Sequence, residues 1–415
     1  MPGAHDRAST SFQPFLPDTR IMIGREFLHA PGPTHIPQQV LNAMNRQPLD
    51  LADDRLKEIA KSCFEDLKSL FRTQGHVFIY AGNGHGSWEA VLGNICAPGD
   101  TVLVPVVGHF AHEWADHARA LGIQTEAIEG DWRQGIDPAR IEAHLRRDTE
   151  RRIKAVLAVQ VDTATSLSCD VHAVRQAMDA AGHPALLVAD AVASLGAMPF
   201  EMDAWGVDVA ITASQKALMC PPGLAIVAAN DKAVQVAQAT PRYQRYWDWN
   251  TRTGDEYYTK FCGTMPEHHM FALREALNLI KARGLDAIFR SQRILSSAVH
   301  QAVQAWSQAG AMAFNVTAAS ERAVTVTTVR TAAGIDPDRL RTYAREKLGL
   351  MIAGGLGRLG GSTFRIGHMG SINEPMILGC LATLDLALKE LGLPHGEGAV
   401  QAAIAHLARE RAAAT

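Results

Sequence analysis

The chain has 415 residues, more than a single hydrophobic core usually accommodates, so two domains are expected. Its 47% apolar and 20% charged residues are ordinary for a water-soluble globular protein, and a net charge of −3 gives no overall attraction to nucleic acid or to an anionic membrane. Cys63, Cys96, Cys169, Cys220, Cys262 and Cys380 form no CxxC pair and do not cluster with histidine, which argues against a zinc site or a disulfide framework and fits a reduced, cytoplasmic protein. Residues 1–25 contain no apolar signal-peptide core, and no run approaches the roughly 20 apolar residues of a membrane span.

Residues 1–29 are expected to form an N-terminal arm. APGPTHIP, from Ala30, is a Gly/Pro-rich loop leading into a helix. From Asp53 to Phe71, Leu56, Ile59, Ala60, Cys63, Leu67 and Leu70 recur at three- and four-residue intervals, an amphipathic helix behind an acidic cap. The strand VFIY, Val77 to Tyr80, then meets the turn AGNGHGS and the helical run WEAVLGNIC. A glycine-rich turn between a strand and a helix N-terminus makes an anion site, since free N–H groups and the helix dipole face one point. Strand and helix then alternate as far as DVHAVRQAMDAAG, which indicates a mostly parallel sheet wrapped by helices. Further along, an aromatic-rich loop runs from Tyr243 to Phe261. After Val324 the strand VTVTTVRT, the helix DPDRLRTYAREKLG, a glycine-rich stretch and the strand STFRIG suggest a smaller α+β unit closed by two helices.

The most informative stretch is Ala185–Pro222. The apolar runs ALLVA and VDVAITA each end in polar residues that a buried strand does not need: Asp190 after the first, Gln215 and Lys216 after the second. Ligands of open α/β sheets sit outside the carboxyl ends of the strands, so these side chains are expected in one crevice. A lysine amine condenses with an aldehyde, and a carboxylate keeps a pyridinium nitrogen protonated. The pair therefore suggests Schiff-base chemistry. Each residue also has a plainer reading: Lys216 as a solvated lysine at a turn, Asp190 as a cap for the following AVASLG.

DAVASLG and ASQKAL resemble the active-site core of class V aminotransferases, pyridoxal-phosphate enzymes of fold type I, and in particular the alanine–glyoxylate and serine–glyoxylate aminotransferases. The similarity runs from APGPTHIP at Ala30 to RIGHMG at Arg365. It implies an α/β large domain over residues 30–284, with a mostly parallel seven-stranded sheet between helices, and a smaller α+β domain over 285–415. It further implies a Schiff base on Lys216, with Asp190 on the ring nitrogen, Val192 and Phe110 on opposite ring faces, and Thr163 near the phenolic oxygen. Asn83, Gly84, His85 and Gln215 would surround the phosphate, joined by Thr264 from the second subunit of a homodimer. Arg365 would take the substrate carboxylate, since its planar fork suits bidentate binding. Plainer readings stand beside these as well: core packing for Phe110, a helix cap for Thr264 and a structural ion pair for Arg365.

Three residues depart from the family pattern: Asn83 in place of a hydroxyl residue, Ser166 in place of glycine, and Phe261 in place of a tyrosine. The implied reaction moves the amino group of a small amino acid, serine or alanine, to glyoxylate, giving glycine and a 2-oxo acid. Aspartate or ureidoglycine remain open as donors. Two rival readings are a pyridoxal-phosphate lyase or desulfurase, for which Cys220 and Cys262 are the nearby thiols, and a dinucleotide-binding turn at AGNGHG.

Overall fold

The computed structural model describes residues 24–241, 244–254 and 256–414. Most of the expected N-terminal arm, residues 1–23, lies outside these. Its last residues form a strand, β1 (Phe27–His29), which no period could announce because three residues are too few to show one.

Seven strands build the main sheet: β2 (His76–Gly82), β3 (Thr101–Val106), β4 (Gln124–Glu129), β5 (Ile153–Val159), β8 (Leu186–Asp190), β9 (Val209–Ala213) and β10 (Gly223–Ala229). Between β5 and β8 a small antiparallel hairpin pairs β6 (Val161–Asp162) with β7 (Leu167–Ser168). The spatial order is β2-β10-β9-β8-β5-β3-β4. Only β10 runs against its neighbours, so the sheet is mostly parallel, as the alternation of strands and helices predicts. The strands are apolar without alternation because both faces are covered. In β5, Val156 and Ala158 join the core on one face, while Ala155, Leu157 and Val159 join that on the other.

The second sheet has the order β1-β13-β14-β12-β11. Its strands are β11 (Met312–Phe314), β12 (Val326–Thr331), β13 (Leu350–Gly354) and β14 (Thr363–Gly367), with β1 parallel to β13 at the edge. Residues 27–29 thus belong to a sheet built otherwise from residues more than 280 positions away. The glycines after Ile352 obscure β13 in the sequence. A third apolar cluster backs this sheet, with Trp306, Phe364, Leu340 and Leu384 fully or almost fully buried.

Four helices matter for the site: α1 (Gln38–Met44), α2 (Asp54–Phe71), α3 (Gly84–Ile95) and α4 (His109–Ala120). Helix α2 starts where its acidic cap predicts, with the Asp53 side chain accepting from Arg55 N. Helix α3 begins four residues earlier than the sequence suggests, so Gly84 and Gly86 of AGNGHG lie in its first turn. Tyr243 lies outside the described residues; the rest of its loop contains a 3-10 turn over Trp249–Arg252 and a short helix over Tyr257–Phe261. Phe261 is buried against Phe64, which explains a phenyl ring at that position. No helix among the described residues is long and apolar enough to cross a membrane.

Candidate active site

Strands β9, β8, β5 and β3 are neighbours, and the residues just beyond their carboxyl ends meet in one pocket. Lys216 and Gln215 follow β9, Asp190 ends β8, Thr163 follows β5, and Phe110 follows β3 on α4. The chain reverses its direction of travel across the sheet between β3 and β5, the place where α/β sheets open a ligand crevice. Gly84, His85, Trp88, Val161 and Val192 complete the lining.

Asp190 is buried, and each of its oxygens accepts one hydrogen bond: Oδ1 from Val192 N at 2.8 Å, Oδ2 from Trp88 Nε1 at 2.8 Å. Burial pushes its acid up to about 6, against the pull of Val192 N–H, the Trp88 indole and Lys216. Burial, and then the positive charge of Arg365, bring the Lys216 amine down to about 8. An appreciable neutral fraction is therefore present near pH 7, as a nucleophilic amine requires. Lys216 Nζ donates to Pro31 O at 2.6 Å, and Thr34 binds back through its N–H to Gln215 O and its hydroxyl to Lys216 O. The APGPT loop is thus a clamp on the lysine turn. Gly32, at φ +122°, admits no side chain because a Cβ would overlap the Lys216 amine.

Asn83 is exposed and caps α3, its Oδ1 accepting from Gly86 N at 3.2 Å. The N–H groups of Gly84 and His85 have no hydrogen-bond partner among the described residues. The His85 ring faces Glu113 at 3.3 Å. Arg365 is 7% exposed and lies on β14. Its Nε donates to Gly354 O at 2.6 Å and its Nη1 to Thr163 O at 2.9 Å, which aims the guanidinium with Nη2 left over. Its contacts are carbonyls, so the ion-pair reading for Arg365 does not apply. Thr264 is exposed and stands outside this pocket.

Three contributors escaped the sequence reading. Trp88 looks like one more core residue of an apolar helix, and only the fold shows its N–H on Asp190. Asp162, fully buried, accepts from Phe110 N at 2.8 Å and Ala164 N at 2.9 Å, tying the start of α4 to the Thr163 turn. The APGPT clamp was legible only as a loop. Ser166 has φ +61°, a left-handed conformation that explains why glycine suits the position. Its hydroxyl compensates by donating to Thr165 O at 2.6 Å and accepting from Thr328 N at 3.2 Å.

The rival readings fare poorly. A dinucleotide turn follows an interior parallel strand, whereas β2 is the sheet edge and its neighbour β10 is antiparallel. Cys220 is buried and bonded to Leu218 O, Cys262 sits at the left-handed end of a short helix, and neither lines the pocket.

Pyridoxal phosphate fits three features of the pocket. Asp190 is a buried carboxylate whose donors are neutral, which leaves a lone pair for a cationic nitrogen. The amide of Gln215 has a buried oxygen without a partner, a position from which its NH2, turned about the last torsion, serves an anion. The two open N–H groups lie at a helix N-terminus, where phosphate binds well. A lysine and an acid so placed on this sheet define a pyridoxal-phosphate enzyme of fold type I.

Comparison with known proteins narrows the class. Residues 26–358 match the family model described as aminotransferase class-V. The chain is 37% identical over 393 residues to a serine–glyoxylate aminotransferase of Methylorubrum extorquens, covering 93% of this chain and 97% of that protein. It is 34% identical over 395 residues to an L-aspartate–glyoxylate aminotransferase of Paracoccus denitrificans, covering 95% and 99%. Among solved structures, a ureidoglycine–glyoxylate aminotransferase from Bacillus subtilis superposes with a TM-score of 0.85 at 27% identity, over 93% of this chain and 99% of that one. The chain belongs to the class V aminotransferases. It is an aminotransferase, and its cofactor is pyridoxal phosphate.

Proposed function

We propose that this enzyme transfers the amino group of serine or alanine to glyoxylate, giving glycine and a 2-oxo acid, and that it works as a cytoplasmic homodimer. The observation that carries the reading is that Lys216 and Asp190 line one pocket while Arg365, bonded to the Thr163 carbonyl at its edge, stands close enough for its charge to act on the lysine. Bound pyridoxal phosphate supplies an aldehyde and an electron-withdrawing ring. The Lys216 amine would hold the cofactor through that aldehyde. With substrate bound, the Lys216 amine would serve as the base that takes the proton from the substrate Cα. Asp190 would keep the ring nitrogen protonated, and Phe110 and Val192 would hold the ring between them. Thr163 would offer its hydroxyl to the phenolic oxygen.

The N–H groups of Gly84 and His85, the Asn83 and Gln215 side chains, and Thr264 of a second subunit would receive the phosphate. The exposed position of Thr264, with Tyr246 and Tyr258 exposed in the same region, supports a covered face there. Arg365 takes the carboxylate shared by the amino acid and glyoxylate. One cation so placed suits substrates with one carboxylate, which favours serine or alanine over aspartate. Ureidoglycine is the remaining donor to test.

The deciding experiment is the visible spectrum of the purified protein as serine, alanine, aspartate and ureidoglycine are added singly, followed by glyoxylate. The band of the lysine-bound cofactor is expected to bleach with serine or alanine and to return with glyoxylate, and glycine is expected among the products. A spectrum that answers only to aspartate or ureidoglycine reassigns the donor. Release of sulfide or ammonia instead of a 2-oxo acid and glycine replaces transamination with lysis.

A further inference from the structure

Trp88 lies on α3, 102 positions before Asp190, and both residues are buried, at 2% and 5% exposure. Its indole Nε1 donates to Asp190 Oδ2 at 2.8 Å, while Val192 N takes Oδ1 at the same distance. Each carboxylate oxygen therefore has one fixed donor, and the plane of the carboxylate is set from two directions. No cation forms a salt bridge with Asp190 among the described residues, so these neutral donors orient the charge. The same indole lines the pocket and meets the His85 ring at 4.5 Å, next to the open N–H groups at the start of α3.

Trp114 provides a built-in contrast. It stacks on Trp88 with ring centroids 5.7 Å apart and is fully buried, yet its Nε1 has no partner. Packing of an indole in this cluster thus does not require its N–H to be paired. Of these two stacked indoles, only Trp88 turns its N–H toward a carboxylate.

We propose that Trp88 is the positioning residue of the cofactor pocket: its indole N–H orients the Asp190 carboxylate toward the ring nitrogen and fixes the distance from that acid to the phosphate-binding end of α3. This rests on the assignment of Asp190 as the acid that meets the ring nitrogen. Asp190 acts on the cofactor, and Trp88 acts through Asp190. A side chain that joins both ends of the pocket makes the site rigid before the cofactor arrives, which is how second contacts raise affinity.

The test uses full-length enzyme stripped of cofactor and titrated with pyridoxal phosphate without substrate. Trp88→Phe is expected to weaken cofactor binding by about tenfold to a hundredfold, the loss of one hydrogen bond to a charged group. Trp114→Phe, which removes a similar ring without a hydrogen bond, is expected to stay within about twofold, the range of a packing change alone. Trp88→Gln, whose amide can reach the same oxygen, is expected to restore part of the loss. In an Asp190→Ala background, Trp88→Phe should cost no more than Trp114→Phe.

Equal losses from Trp88→Phe and Trp114→Phe, or an undiminished effect of Trp88→Phe in the Asp190→Ala background, overturn the proposal and leave Asp190 in its role. Unchanged binding in Asp190→Ala itself overturns the assignment of the acid. A second readout does not depend on the folding of the Trp88 variants. In cofactor-free protein, the ultraviolet Raman band that reports indole N–H hydrogen bonding should shift for one tryptophan when Asp190→Ala is compared with the wild type. No shift overturns the proposal.

Discussion

Replacing Lys216 by methionine keeps the length of the side chain and removes its charge, so it measures what the pocket costs the fold. Burial, with Arg365 adding to it, holds the Lys216 amine at about 8 instead of 10.5. Each unit is worth about 1.4 kcal/mol, so the ammonium destabilises cofactor-free protein by at most about 3 kcal/mol below pH 8. Lys216 keeps part of its surface exposed, which lowers the figure toward 1–2 kcal/mol, roughly, through solvent screening. The hydrogen bond to Pro31 O offsets about 1 kcal/mol of that. The sign follows from proton counts. Between pH 8 and 10.5 the unfolded chain holds a proton at this lysine that the folded chain has released, so wild-type stability gains from rising pH at this site. The methionine variant lacks that gain. Urea unfolding of the cofactor-free proteins, followed by fluorescence and circular dichroism at several pH values, should show Lys216→Met at its best relative to wild type near pH 7, with the difference moving toward the wild type by pH 10.5. Parallel stability curves over that range refute a buried, neutral-leaning amine.

Three further outcomes are expected. Arg365→Lys leaves Gly354 O and Thr163 O without their donors and loses the planar fork, so kcat/KM for the amino acid should fall about a hundredfold, mostly through KM, in steady-state assays. Beside the small sheet, burial holds His368 down to about 3 and His300 to about 4, with the Arg322 charge adding to the shift of His300. Both therefore stay neutral in the fold and take up protons only on unfolding as pH drops below 6.5; at pH 5 each costs about 2 kcal/mol, and His368→Gln should flatten the loss of urea stability between pH 7 and 5. Ser166→Gly and Ser166→Ala lose the same hydroxyl bonds, but only glycine relieves the φ of +61°, so the glycine variant should be the more stable by about 1 kcal/mol in thermal unfolding.

The residues that sit where strands end were legible in the sequence, because a charged or amide group at the end of an apolar run has no structural reason to be there. Asp190, Gln215 and Lys216 were found that way, and the fold brings them to neighbouring strand ends. Residues whose purpose depends on a distant partner were not. Trp88 follows the apolar pattern of its own helix, Asp162 reads as one polar residue of a turn, and Thr34 as one residue of a loop; each acquires meaning only from an atom 52 to 182 positions away. The same limit governs β1 and β13, strands short or glycine-rich enough to be silent until they pair. What the sequence displays is therefore the chemistry, and what it hides is the scaffold that aims it. The aim matters here because the three charged groups of the site are held by neutral partners: Asp190 by an indole and an amide, Arg365 and Lys216 by carbonyls. Such partners orient a charge without cancelling it, so the acid, the amine and the guanidinium all remain able to meet a ligand.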